Sequence, residues 1–223
     1  MPVRLEVCCE NLTAVRHAKQ AGAYRVELCR DLKTGGLTPN REDIVKARAV
    51  EGIKLNVLIR PREGDFVYST QELDRMNGDI RFCGESGCDG VVIGALGPHG
   101  TVDKEAMAGL IDTALRYFMS ITFHRAFDES FDLIDSMEDC IALGCDRILT
   151  SGGRETAFDG MPELKELIER SEGRIIIMPG CGVTPENIDE IANYTGCNEI
   201  HGSFQGSLEK MKEAVAQISH YKL

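Results

Sequence analysis

The sequence predicts a single (β/α)8 barrel over residues 1–223. Three observations carry that expectation. Eight short apolar, β-branched runs recur along the chain, with centres roughly 21 to 35 residues apart, the span of a βα unit. Stretches that open on helix-start signals lie between them. Four helix-to-strand junctions repeat one another: Gly22-Ala23-Tyr24-Arg25, Gly87-Cys88-Asp89-Gly90, Gly144-Cys145-Asp146-Arg147 and Gly196-Cys197-Asn198-Glu199. An open doubly wound sheet is the competing arrangement. Even spacing of eight units and the lack of a Gly-x-Gly-x-x-Gly turn favour closure.

Taken in order, the predicted strands are 4–9 (RLEVCC), 25–29 (RVELC), 54–60 (KLNVLIR), 90–96 (GVVIGAL), 120–127 (SITFHRAF), 147–152 (RILTSG), 174–180 (RIIIMPG) and 199–204 (EIHGSF). Asn11 precedes the first helical stretch and Asp103 the fourth, each as an N-cap. Thr38-Pro39 and Thr184-Pro185 read as an N-cap followed by proline at the first helical position. Glycine at the repeated junctions suits the left-handed residue that ends a helix. Cys88, Cys145 and Cys197 then read as small buried apolar residues beneath the barrel.

Composition narrows the function classes. The 43% hydrophobic and 27% charged fractions are those of a soluble globular chain. Twenty-five basic against 36 acidic side chains leave a net charge of -11, and no run of Lys/Arg offers a footing for nucleic acid. Apolar runs are strand-sized, too short to span a membrane. Acids at Glu6 and Glu10 argue against a secretory leader. Nine cysteines without a CxxC pair, with the CxxxxC spacings at Cys83/Cys88 and Cys140/Cys145 standing alone, suit free thiols in a cytoplasmic, reducing setting rather than a disulfide frame or a structural zinc site.

In such a barrel the site sits at the C-terminal ends of the strands, and alternate strand residues face the lumen. With Leu5, Val7, Val26 and Leu28 turned to the helices, Glu6, Cys8, Glu27 and Cys29 point inward. The same parity sends Asn56 and Arg60, Thr122 and His124, and His201 and Ser203 inward. Ionisable groups in place of apolar lumen fill suggest acid–base work, with Glu6, Glu27, Arg60, His124 and His201 as candidate catalytic residues. The competing reading is a satisfied polar plug, for instance Glu6 or Glu27 paired with Arg60.

Strand six ends in Ser151-Gly152-Gly153 and strand seven in Gly180-Cys181-Gly182 before a helix start. Backbone N–H groups there suit an anion, a phosphate or carboxylate, with Arg62 and Arg125 adding charge. The loops 34–39 and 60–69 carry the Gly, Pro and charge of a lid, or else Asp65 caps a turn while Phe66 and Tyr68 pack on the rim. Cys8 and Cys29 end adjacent strands, about 4.8 Å apart by strand spacing, so two thiolates can approach one ion. A dithiolate without a fixed third ligand suits Cu(I) better than tetrahedral zinc.

RLEVCC, RVELC, GGLTP, IRPREGDFVYS, TFHRAFD, LTSGG and the Gly-x-Gly-Val loop occur in the order found in the copper homeostasis protein CutC family, which the chain resembles from about Leu5 to Phe204. The resemblance implies a TIM barrel, cytosolic copper handling and a Cu(I) site at the cysteines of EVC and ELC, here Cys8 and Cys29. Glu63 stands where the family usually has Gly, Asn40 where Ser is common, and Cys181 is less usual. Two functions follow as expectations. One is a Cu(I)-binding copper homeostasis protein. The other is an enzyme, a lyase, isomerase or hydrolase acting on a small phosphorylated or carboxylated metabolite, with His124 or Glu27 as base and His201 as acid. No organic cofactor is expected. Barrels of this size often pair through their helices, so a homodimer is also expected as an option.

Overall fold

The computed structural model describes residues 3–220. Its strands are β1 (Arg4–Cys9), β2 (Arg25–Leu28), β3 (Lys54–Leu58), β4 (Gly90–Ile93), β5 (Ser120–Phe123), β6 (Arg147–Thr150), β7 (Ile176–Pro179) and β8 (Glu199–Gly202). The helices are α1 (Leu12–Ala21), α2 (Arg41–Arg48), α3 (Thr70–Glu85), α4 (Lys104–Leu115), α5 (Leu133–Ala142), α6 (Met161–Ser171), α7 (Ile188–Thr195) and α8 (Leu208–Ile218). All strand pairs are parallel, in the order β7-β6-β5-β4-β3-β2-β1-β8. The barrel is nearly closed: among the described residues no ladder bonds join β7 to β8.

Side-chain parity divides the interior in two. Val7, Val26, Val57, Val91 and Ile121 belong to the large apolar layer that the helices cover. Cys8, Cys29, Leu58 and Val92 form a small separate cluster on the opposite, lumenal face. Asn11 accepts the Ala14 N–H (2.9 Å) and Asp103 the Ala106 N–H (3.0 Å), each capping its helix. Gly22, Gly87, Gly144 and Gly196 all take positive φ at the repeated junctions, and Cys88, Cys145 and Cys197 are buried behind them.

Two expectations are corrected. Thr38 does not cap α2, which starts at Arg41 behind Asn40. The Thr38 hydroxyl instead donates to the Arg60 carbonyl (3.1 Å) and accepts the Arg60 N–H (2.8 Å), which ties the loop after β2 to the end of β3. Thr184-Pro185 opens a turn ahead of α7, and Asn187 takes the cap position. Most strands also end a few residues earlier than expected. β5 stops at Phe123 because the His124 ring accepts the Ala126 N–H and starts a 3-10 turn over Arg125–Glu129.

Candidate functional site

Strand register sets the site. Glu6 pairs in register with Arg25 on β2 and with His201 on β8, and Cys8 pairs with Glu27. The Arg25 guanidinium donates through Nε to Glu6 and through Nη2 to Glu199. Arg147 Nε donates to the same Glu199 oxygen at 3.1 Å. The second Glu6 oxygen meets His201 Nδ1 at 2.8 Å, and His201 Nε2 lies 3.5 Å from Glu27. A buried chain thus runs Arg147–Glu199–Arg25–Glu6–His201–Glu27. Sequence reasoning missed Arg25, Arg147 and Glu199, although strand parity turns each to the lumenal face, two residues before Glu27, Leu149 and His201.

Three carboxyl groups stand against two buried guanidiniums in this chain, with the exposed Arg4 4.0 Å from Glu199, so at the buried end around Glu27 a proton or a cation completes the balance. Burial pushes the Glu6 carboxyl up, but Arg25 and the His201 hydrogen bond outweigh it and hold the group at about 2. Burial raises Glu27, and the charge of His201 offsets this only in part. For His201, burial favours the neutral ring, yet the Glu6 hydrogen bond and the Glu27 charge raise it above the ordinary imidazole value. Glu27 and His201 are therefore the pair that shares the remaining proton.

The two thiols expected to meet do so. Cys8 Sγ and Cys29 Sγ are 3.4 Å apart and buried. The Cys29 hydrogen bond, burial and the Glu27 charge raise the Cys8 thiol well above its usual value. Ligating atoms of Cys8, Glu27 and His201 all lie within 4.8 Å of one another.

Above this floor opens a cavity of about 660 Å³, lined by Cys8, Cys29, Glu27 and His201 on one side and by Arg60 and His124 on the other strands. Arg60 Nη1 donates to the carbonyls of Thr34 (3.0 Å) and Gly36 (3.2 Å), and Nη2 to that of Gly64 (2.9 Å). Among the described residues no carboxylate pairs with it, and its Nε has no partner. His124 Nδ1 accepts the Ala126 N–H at 3.1 Å, and Nε2 is buried without a partner. Burial and the nearby Arg60 charge push the imidazole down to about 3. The geometry does not suit His124 as a base: its one lone pair already faces an amide, and its proton sits on Nε2.

The expected anion cradle is built differently. The amides of Ser151 (3.0 Å) and Gly153 (3.0 Å) donate to Asp128, Gly152 N–H to Thr150 Oγ1 (2.8 Å), and Gly180 N–H to the Thr150 carbonyl (3.0 Å). Arg125 pairs with Asp128 at 2.7 Å. The chain's own carboxylate occupies the place expected for an external one, and of the four glycines only Gly182 lines the cavity. Arg62 is likewise held, by Glu72 (2.6 Å) and Asp65 (2.9 Å), and does not line the cavity. Asp65 accepts the Val67 N–H (3.1 Å), the turn-capping role, and the Phe66 ring packs tilted against that of His124, with centroids 5.0 Å apart.

Fold and site together define a (β/α)8-barrel protein with a polar, thiol-bearing mouth at the C-terminal ends of its strands. The chain belongs to the CutC family, whose model matches residues 3–206. It is 46% identical over 199 residues to a CutC family protein of Xylella fastidiosa strain Temecula1, covering 89% of this chain and 74% of that one. A Bacteroides fragilis CutC family protein is 45% identical over 227 residues, covering 97% and 90%. The crystal structure of a Streptococcus agalactiae CutC, described there as a supposed copper homeostasis protein, superposes with a TM-score of 0.86 at 37% identity, covering 92% of this chain and 100% of that one.

Proposed function

We propose that the protein binds Cu(I) as cargo through the thiolates of Cys8 and Cys29 in the cytosol. The observation that carries this reading is the 3.4 Å approach of two buried sulfurs at the edge of an open cavity. With metal–sulfur bonds of about 2.3 Å, sulfurs this close subtend roughly 95° at the ion, whereas a linear dithiolate needs about 4.6 Å. Without rearrangement the pair therefore suits an ion that also takes a third donor, and His201 or Glu27 stands within reach. Soft thiolates favour Cu(I), and a reducing compartment keeps both in that form. Because the Cys8 thiol must lose its proton, affinity rises with pH. Anaerobic Cu(I) titration against a chromogenic competitor tests the site. One tight equivalent, lost in the Cys8→Ser/Cys29→Ser variant, is expected. Weak binding, or binding indifferent to the substitutions, removes the site.

A second reading has its own observation. The Glu6–His201–Glu27 chain is an acid–base device that carrying an ion does not need, and the cavity is far larger than an ion. It supports an enzyme acting on a small carboxylated or phosphorylated metabolite, with Glu27 and His201 moving the proton.

A further inference from the structure

What the second reading lacks is a place that holds the substrate. The expected cradle after β6 is filled by Asp128, and Arg62 is neutralised by Asp65 and Glu72. One cation at the mouth differs. Arg60 is buried to 7% exposure, stacked 4.8 Å over Phe66, and surrounded by carbonyl oxygens, Tyr68 and His124 rather than by a carboxylate. Carbonyl dipoles orient a guanidinium but leave its full charge uncompensated. Arg60 also keeps donor capacity. Nη1 spends both hydrogens on Thr34 and Gly36, Nη2 spends one on Gly64, and Nε spends none.

His124 adds a second donor of a specific kind. The Ala126 amide fixes Nδ1 as an acceptor, so the neutral ring carries its proton on Nε2, the buried atom without a partner. Gly94 leaves the space the ring occupies, since a Cβ there would lie 2.6 Å from its Cε1 and Nδ1. A neutral imidazole N–H, oriented by a backbone amide and lining the same cavity as a guanidinium, is suited to stabilising negative charge on oxygen without surrendering a proton.

We infer that Arg60 and His124 form an oxyanion subsite, taking the carboxylate or enolate oxygen of a small organic acid, with His124 as a neutral Nε2–H donor. The subsite deepens the enzyme reading. A carboxylate is favoured over a phosphate because one planar cation is on offer and the backbone amides that suit a phosphate are already engaged. With a 2-oxo acid held this way, the step is a proton transfer. Glu27 takes a proton from the carbon beside the carbonyl, the C–H pair becomes the carbon–carbon double bond, and the carbonyl pair moves onto the oxygen that faces His124. The Glu27 carboxyl returns a proton to the same carbon as the electron pair on oxygen re-forms the carbonyl, so the net result is hydrogen exchange or inversion at that carbon and no co-reactant is needed.

The probe is oxalate, a planar mimic of such an enolate, added to protein freed of metal. Wild type is expected to bind it with a rise in Tm. Arg60→Gln and His124→Phe should weaken binding at least tenfold, while His124→Gln, whose amide N–H takes the place of Nε2–H, should largely restore it. Arg116→Met, an exposed site that does not line the cavity, should bind as wild type. Nitrogen-15 spectra should show His124 as the Nε2–H tautomer from pH 5 to 8. Failure of wild type to bind oxalate, equal affinity for inorganic phosphate, undiminished binding by Arg60→Gln, or an Nδ1–H tautomer would each overturn the proposal. Deuterium uptake at the methyl group of pyruvate, compared with Glu27→Gln, tests the enzyme reading separately. Oxalate binding without such exchange leaves the subsite standing and removes the acid–base step.

Discussion

Replacing Arg25 with methionine tests the charge balance of the barrel floor. Arg25 is 3% exposed, and its two carboxylate partners, Glu6 and Glu199, are 1% and 2% exposed. Removing one member of a buried pair typically destabilises by about 3–5 kcal/mol, because the remaining charge is left uncompensated. Here Arg147 still serves Glu199 and His201 still serves Glu6, so the lower end, about 3 kcal/mol, is expected. For a chain of this length that is a fall in Tm of roughly 6–12 °C. The deficit must also shrink on acidification. With Arg25, Glu6 stays ionised down to about 2; without it, burial raises the carboxyl, and the protonated group no longer needs a guanidinium. Urea unfolding followed by circular dichroism at pH 7.5 and pH 5 reads both effects. Arg116→Met, which breaks an exposed pair with Asp112, serves as the control and should change little. An Arg25→Met loss under about 1 kcal/mol, or one equal at the two pH values, would refute the account.

Three further outcomes are expected. Asp128→Ala should remove about 3 kcal/mol, since Thr150, two backbone amides and Arg125 lose their acceptor, and amide exchange at Ser151 and Gly153 should quicken in mass-spectrometric or NMR measurements. Gly94→Ala should destabilise by about 1–3 kcal/mol and weaken oxalate binding, because the new methyl group displaces the His124 ring; calorimetry reads both. Glu6, lowered from 4.5 to about 2, contributes on the order of 3 kcal/mol that is fully present above 4.5 and lost as pH falls through about 2. Urea midpoints measured across that window should fall more steeply for wild type than for Glu6→Gln.

How much was legible in the sequence depended on whether parity alone decided a placement. Glu6, Cys8, Glu27, Cys29 and His201 needed only the two-residue repeat of a strand and the knowledge of which face was apolar. Arg25, Arg147 and Glu199 obey the same parity as Glu27, Leu149 and His201, but they open their strands, where a charged residue reads as solvent-facing. Their burial is a property of the closed barrel, which brings three strand starts around one floor. Asp128 was not legible at all. It reaches the amides after β6 only because His124 turns the chain into a 3-10 segment, and that turn lies inside what reads as continuous strand. The role of His124 needed the same turn: composition and spacing show an imidazole, while the Ala126 amide selects its tautomer.

Among the described residues no ladder joins β7 to β8, which makes the barrel a split ring rather than a hoop. If such a ring opens, it does so at the unlaced seam, and what lies on one lip shifts relative to the other. His201 rides on the β8 lip, yet β8 is stitched to β1 and β1 to β2, so His201, Glu6 and Glu27 travel as one piece. Gly180 and Gly182 follow the β7 lip, and at Gly180 the lips come so near that a Cβ would lie 3.2 Å from that of His201. Opening the gap would thus change the aperture through which a visitor passes while the proton-sharing groups keep their spacing.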